Sequence, residues 1–286
     1  IGSDMPVATK FQGRLGNQLF QFAFIYAVAR KLGTSYFIEG LENLSGFRLS
    51  GFSPAKNQRT RWAILLRYVL TRIFTPNEGY LGLTLVRQKG VHSPADILKQ
   101  VDDYAFFEGF FQSEAYWREY ASEIKEVFRL EEKWASAFKD QKYYLLEKPY
   151  VAIHIRRGDY ADWEIEPLND KDFRLPVSYY YEALERLNRE KDLPIVIISD
   201  DAAFVEKHFS HLEYRLEYNS VLIDFQILTH AKALIISNSS FAWWGAYLNA
   251  QDGAKVLAPK YWLGFKQKKE YPTGIMEGPF EWIEID

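Results

Sequence analysis

The second half of the chain alternates between two hydrophobic periods. Tyr150-Val151-Ala152-Ile153-His154-Ile155-Arg156 has the period-two spacing of a strand and ends in charge. Tyr180, Ala183, Leu184 and Leu187 then recur at helical spacing, which predicts a helix over 178–190 with Ser178 as its cap. Pro194 opens Ile195-Val196-Ile197-Ile198, a short apolar run of the kind buried on both faces of a parallel sheet. Helices are expected over 201–208, 224–231 and 241–249, a buried strand over 233–236, and a last strand over 255–258. Strand and helix alternating at such short spacing predict an α/β protein with a parallel sheet of Rossmann type.

The first half repeats the theme less regularly. A strand is expected over 7–11. Leu15, Leu19, Phe22, Tyr26 and Ala29 share one helical face, and Gly33 supplies the stop. Further strands are expected over 35–39 and 104–107, and a helix over 113–128 capped by Ser113. The turn-rich stretch 41–57 predicts no element, and no internal repeat or low-complexity segment occurs. A polar stretch at 147–149 places the boundary between two units, 5–148 and 149–286. The expected architecture is GT-B-like: two Rossmann-type lobes with a cleft between them.

Composition narrows the chemistry. A length of 286 residues suits one large domain or two modest ones, and a hydrophobic share of 48% supplies a sizeable core. Net charge is −3, so no global positive field points to nucleic acid as a partner. Cysteine is absent, which excludes a disulfide framework, a thiolate zinc site and a cysteine nucleophile, and fits a reducing compartment. The five histidines (His92, His154, His208, His211, His230) are scattered, so no metal cage is expected. The abundant aromatics, 21 Phe, 19 Tyr and 8 Trp, are read first as core rings and only second as sugar-stacking surfaces.

Ile1-Gly2-Ser3-Asp4 ahead of Met5 reads as an expression scar and is set apart from the fold. No apolar run reaches bilayer-spanning length, and Lys10, Gln12 and Arg14 interrupt any signal-peptide core; a soluble, cytoplasmic protein is expected. Residues 61–74 gather Arg61, Arg67, Thr71 and Arg72 opposite an apolar side. The preferred reading is a core helix with a solvated face. The alternative is a basic helix in peripheral contact with the inner face of an anionic membrane.

In open parallel sheets ligands bind beyond the carboxyl ends of the strands. Three such ends are polar here: His154-Ile155-Arg156-Arg157-Gly158-Asp159-Tyr160, Ser199-Asp200-Asp201, and Ser237-Asn238-Ser239-Ser240 opening into a helix. Ser239 and Ser240 offer hydroxyls and amides at a helix start, where the dipole favours an anion. The arginines offer forked donors for phosphate oxygens. Asp224 or Asp200 matches the paired N–H donors of guanine. Plainer readings stand beside these: a serine cap, an Arg157–Asp159 pair that only fixes the turn, a satisfied core histidine at 154. Taken jointly, three polar ends in one sheet favour an anionic ligand.

The stretch 154–160 resembles the HxRRGDY signature of the alpha-1,2-fucosyltransferases, glycosyltransferase family eleven. Asn238-Ser239-Ser240-Phe241-Ala242-Trp243-Trp244 is similar to that family's NS[ST]FSWW motif, with Ala242 in place of a serine. The glycine loop at 13–23, the stretch Gly109-Phe110-Phe111-Gln112-Ser113-Glu114 and Ser199-Asp200-Asp201 resemble further family segments, all in order along the chain. The resemblance implies a metal-independent, inverting transferase that takes L-fucose from GDP-fucose as donor substrate, with no cofactor. The implied acceptor is a glycan, at O2 of a terminal galactose. It implies His154 and Asp224 in guanosine recognition, and Arg156, with Arg157 beside it, at the diphosphate. Ser239, Ser240 and Phe241 would line the pyrophosphate and fucose, and Asn17 would reach the same cleft from the facing lobe. The metal-free departure of GDP calls for fixed donors, which makes Arg156 the first catalytic candidate. Asp159 is the nominee for general base, or else only orients Arg156; Glu39 and Glu108 are rivals, and a dissociative reaction needs little basic help. Alternatives of other kinds are a transferase for another GDP-sugar such as GDP-mannose and a catalytically silent carbohydrate-binding protein.

Overall fold

The computed structural model describes residues 7–49, 84–102, 105–187, 192–251 and 253–285. Segment 61–74, the amphipathic candidate, lies outside them, as do Tyr104 and residues 188–190. The chain divides into two compact units, Ile1–Arg129 and Leu130–Asp286.

In the first unit β1 (Val7–Lys10) leads into α1 (Leu15–Leu32) and β2 (Tyr36–Glu39); β3 (Thr84–Arg87), α2 (Pro94–Leu98), β4 (Ala105–Glu108) and α3 (Ala121–Val127) follow. The four strands are parallel in the order β2-β1-β4-β3. Gly33 ends α1 in the left-handed region (φ 64), the stop expected of it. Ser113 accepts from the Ala115 amide as a cap should, but the helix expected over 113–128 is broken. Two short 3-10 turns, Glu114–Tyr116 and Arg118–Tyr120, precede α3. Packing explains the break: Tyr116 and Trp117 turn inward against Phe24 and Phe20, with centroids at 5.1 and 5.5 Å. Trp117 itself leaves helical geometry (φ −132, ψ 12).

The second unit begins with α4 (Glu132–Glu147), which runs into β5 (Val151–Ile155). A small hairpin, β6 (Glu164–Ile165) and β7 (Asp170–Lys171), precedes α5 (Val177–Arg186), β8 (Ile195–Ser199), α6 (Ala202–Phe209) and β9 (Tyr214–Glu217). The chain closes with α7 (Val221–His230), β10 (Ala233–Ile235), α8 (Ser240–Tyr247), β11 (Lys255–Pro259) and β12 (Glu281–Ile283). The six-stranded sheet runs β12-β11-β10-β5-β8-β9, all parallel. Counted within the unit this is the doubly wound order 3-2-1-4-5-6 read from its far edge. Its switch point lies between β5 and β10.

Three expectations need correction. The division falls after Arg129 rather than after residue 148, because α4 packs on the second unit: Phe138 stacks on His230 with centroids at 5.0 Å, and Gln226 Nε2 donates to the Trp134 carbonyl at 3.1 Å. The pattern of 132–147 hides this helix, since Lys142 departs from helical geometry (φ −128, ψ 26) and shifts the period. α5 starts at Val177 behind Pro176, so Ser178 lies inside the helix instead of capping it. Finally, β11 is not the last strand; the three residues of β12 pair beyond it, too few to show a period.

Helices α7 and α8 lie against each other at Gly245. A Cβ there would stand 2.6 Å from Cβ of Leu228. Gly245→Ala is therefore expected to destabilise the protein by about 1–3 kcal/mol through overpacking, although alanine is the better helix former. Denaturant unfolding checks this.

Candidate functional site

The site grows from β5. Val151, Ile153 and Ile155 turn to one face of the sheet and pack with Tyr179, Tyr180, Ile197 and Phe209. Alternation sends Ala152 and His154 to the other face. His154 is buried there, its Nδ1 2.8 Å from Ser237 Oγ and its ring 5.7 Å from Phe241. Burial, and then the positive Arg156, push its pKa down to about 3, so the imidazole is neutral near pH 7.

This depression has a measurable sign. Between the ordinary histidine pKa and about 3 the unfolded chain binds a proton that the folded chain refuses, so stability falls as pH falls through that window. Relative to His154→Asn, the wild-type protein is expected to lose about 1.4 kcal/mol per pH unit between roughly pH 6 and 4. Parallel urea titrations of the two proteins measure it; curves of equal slope would remove the buried neutral histidine.

The same alternation carries past the strand and separates the two arginines. Arg156 pairs with Asp159 Oδ1 at 2.6 Å through Nη2 and with Asp200 Oδ2 at 2.8 Å through Nη1, and its guanidinium lies 5.8 Å from the Tyr160 ring centre. Arg157 takes the face of Ile155. Its guanidinium stacks 3.7 Å from the Phe204 ring centre, and its Nη1 donates to the Leu175 carbonyl at 3.3 Å. Arg157 thus secures α6 and the loop before α5.

The Asp200 carboxylate clamps the turn after β5. Its Oδ1 accepts from the Arg157 amide at 2.9 Å and its Oδ2 from the Gly158 amide at 3.1 Å, besides pairing with Arg156. The turn needs glycine at 158: a Cβ would lie 2.7 Å from Asp200 Oδ2. Tyr160 closes the loop, donating its hydroxyl to the Asn238 carbonyl at 3.0 Å, while Asn238 Nδ2 donates to the Phe173 carbonyl at 2.9 Å. Arg156 is thereby tied to the residue that precedes Ser239.

Ser239 holds the N-cap position of α8 in extended geometry, yet its hydroxyl makes no capping bond. The first amides of a helix have no intrahelical acceptor, so this end presents backbone donors. Ser240 and Phe241 are half-buried at the same end. Asp224 sits in the first turn of α7, buried, and accepts from the Asn219 amide at 3.2 Å and from Asn219 Nδ2 at 2.8 Å. Burial raises its pKa. Since all strands of this sheet are parallel, the starts of α7 and α8 both follow carboxyl ends and lie on the same end of the sheet, α7 beyond the edge strand β9 and α8 beyond the interior strand β10.

In the first unit, Gly13 turns with φ +73 beside Asn17, whose Oδ1 accepts from Gln112 Nε2 at 2.7 Å. This bond joins the first turn of α1 to the loop after β4, beside the switch point of that sheet. The rival bases are each paired: Glu39 with Lys10 at 2.8 Å and Glu108 with Arg87 at 2.9 Å. Among the described residues no group of three histidines, aspartates or glutamates could hold a metal ion, and no helix is long and apolar enough to cross a membrane. Reading by motif overlooked Ser237, Asn219 and the clamp role of Asp200. Ser237 was detectable by its place at the end of β10, and Asn219 is local, five residues before Asp224; only the clamp joins segments far apart in the chain.

The fold is a doubly wound α/β protein whose second sheet has its switch point between β5 and β10. The family model described as "Glycosyl transferase family 11" matches residues 4–273. The chain belongs to that family. It is 27% identical to an alpha-1,2-colitosyltransferase of Escherichia coli, over 98% of this chain and 99% of the relative. It is 25% identical to the galactoside 2-alpha-L-fucosyltransferase SEC1 of Bos taurus, over 83% of this chain and 62% of the relative. Among solved structures it is similar to a mutant Arabidopsis thaliana FUT1 in complex with GDP (TM-score 0.53, 12% identity, 90% of this chain and 70% of that one). POFUT1 in complex with GDP is likewise similar (TM-score 0.50, 13% identity, 90% and 98%). These likenesses show the GT-B-like fold expected from the sequence.

Proposed function

We propose that this family 11 transferase moves L-fucose from GDP-fucose to a glycan hydroxyl, with O2 of a terminal galactose as acceptor and no metal or other cofactor. The observation that carries the reading is the linkage of Arg156, through Tyr160 and Asn238, to the uncapped start of α8. In a single displacement the acceptor oxygen bonds to the anomeric carbon while the carbon–oxygen bond to the β-phosphate breaks. The electron pair leaves on GDP. Arg156 and the amides near Ser239, Ser240 and Phe241 meet that charge, as fixed donors do in other oxyanion sites. His154, neutral and locked to Ser237, and Asp224, an acceptor for paired N–H groups, are assigned to the guanosine.

Asp159 is assigned to aiming Arg156 and to taking the acceptor proton. Asp159→Asn is expected to lower kcat by about 10²-fold in steady-state assays. A kcat close to that of the wild type would move the base elsewhere.

The similarity to a colitosyltransferase favours a second reading, in which the donor sugar is a deoxy relative of fucose. Calorimetry and turnover with GDP-fucose, GDP-colitose, GDP-mannose and UDP-galactose test both. Tight binding and transfer of fucose are expected. Preference for GDP-colitose would select the second reading, and nucleotide-sugar binding without any transfer would leave only a carbohydrate-binding protein.

A further inference from the structure

We infer that Lys142 is a positioning residue for base recognition, holding the Asp224 carboxylate charged and aimed through Glu217 and Asn219. The inference rests on the guanine-nucleotide reading above and adds to it the residues that set base specificity.

The network spans three elements. Lys142 of α4 pairs with Glu217 at the end of β9, Nζ to Oε2 at 2.6 Å, with side chains only 11% and 7% exposed. Tyr144 donates its hydroxyl to Glu217 Oε1 at 2.6 Å, and the Arg215 guanidinium lies over the Tyr144 ring at 4.1 Å. Asn219 Nδ2 donates both to Glu217 Oε2 at 3.0 Å and to Asp224 Oδ1 at 2.8 Å. Two buried carboxylates therefore share one amide, and one buried ammonium serves both.

Such an arrangement is a poor way to gain stability, because buried ion pairs are often no better than apolar packing. It is a good way to hold a charge. Burial raises the Asp224 pKa; the Asn219 hydrogen bonds and Lys142 act to lower it, while Glu217 raises it. Without the ammonium, two neighbouring carboxylates oppose each other's ionisation and one takes up a proton. An ionised Asp224 presents acceptors to both N1–H and the 2-amino group of guanine. A protonated one presents a donor where the second acceptor is needed.

The kink at Lys142 (φ −128, ψ 26) belongs to the same device. It breaks the helical period where the side chain must turn inward to β9.

The test compares dissociation constants of GDP and of inosine diphosphate, which lacks the 2-amino group. Calorimetry uses the full chain as wild type, Lys142→Met, Asn219→Ala, and the double variant Lys142→Met/Glu217→Gln, with thermal melts confirming that each is folded. Wild type is expected to prefer GDP by at least about ten-fold, the worth of one hydrogen bond to a charged acceptor. Lys142→Met and Asn219→Ala are expected to remove most of that preference. The double variant is expected to recover it, because the competing carboxylate is gone. Equal weakening of both nucleotides in Lys142→Met, with the ratio kept, is what a purely structural role gives and overturns the inference; so does a double variant no better than the single one. A wild-type protein that binds neither nucleotide, or both alike, overturns the guanine reading itself.

Discussion

Arg156→Ala is expected to lower kcat/KM by about 10²–10³-fold, the loss seen when one preorganised donor is taken from a developing oxyanion. On the proposed reading GDP affinity falls with it, because the β-phosphate loses a charged fork. The side chain is 20% exposed and already holds two carboxylates, Asp159 and Asp200, so its geometry is set before any ligand arrives. Removing it leaves those two acids near each other without their cation. Arg156→Lys supplies the needed control: it restores charge but not the fork, and is expected to recover only part of the activity. Steady-state kinetics with GDP-fucose, together with GDP titration, check both variants. Unchanged GDP affinity in Arg156→Ala would remove the residue from the leaving group.

Asp200→Ala should rank second, though Asp200 has no assigned contact with ligand. Its carboxylate gathers the amides of Arg157 and Gly158 and one nitrogen of Arg156. Alanine leaves two backbone donors unmet and frees the loop that aims Arg156. A stability loss of about 1 kcal/mol follows from the lost hydrogen bonds, because both amides stand in an exposed turn where water can replace the carboxylate. A fall in kcat of about 10²-fold follows from misplacing the guanidinium by an ångström or so. Asp200→Asn keeps one acceptor oxygen and should fall between. The decisive comparison is Asp200→Ala assayed well below its melting temperature: full kcat there would show that the loop keeps its shape without the clamp.

Much of the second unit was legible because its central strands are buried on both faces. Val151–Ile155 shows a period of two and Ile195-Val196-Ile197-Ile198 an unbroken apolar run, and α5 between them keeps a helical period. Alternation along β5 even anticipates the parting of Arg156 from Arg157, since successive side chains take opposite faces. The first unit was harder to read. Tyr116 and Trp117 pack inward at the expense of helical geometry, and no local pattern records where a distant Phe20 or Phe24 will be.

By itself the sequence determined the α/β class, the parallel sheets and the three polar strand ends, because hydrophobic period and strand-end chemistry are properties of short segments. Only the tertiary structure decided that α4 belongs to the second unit, that Asp200 clamps a turn while Asn219 holds Asp224, and that a buried lysine 82 residues before Asp224 joins the same network. Apart from the five-residue reach of Asn219 to Asp224, each of those is a hydrogen bond or ion pair between segments far apart in the chain. Its existence depends on a distance of about 3 Å that only the folded sheet creates.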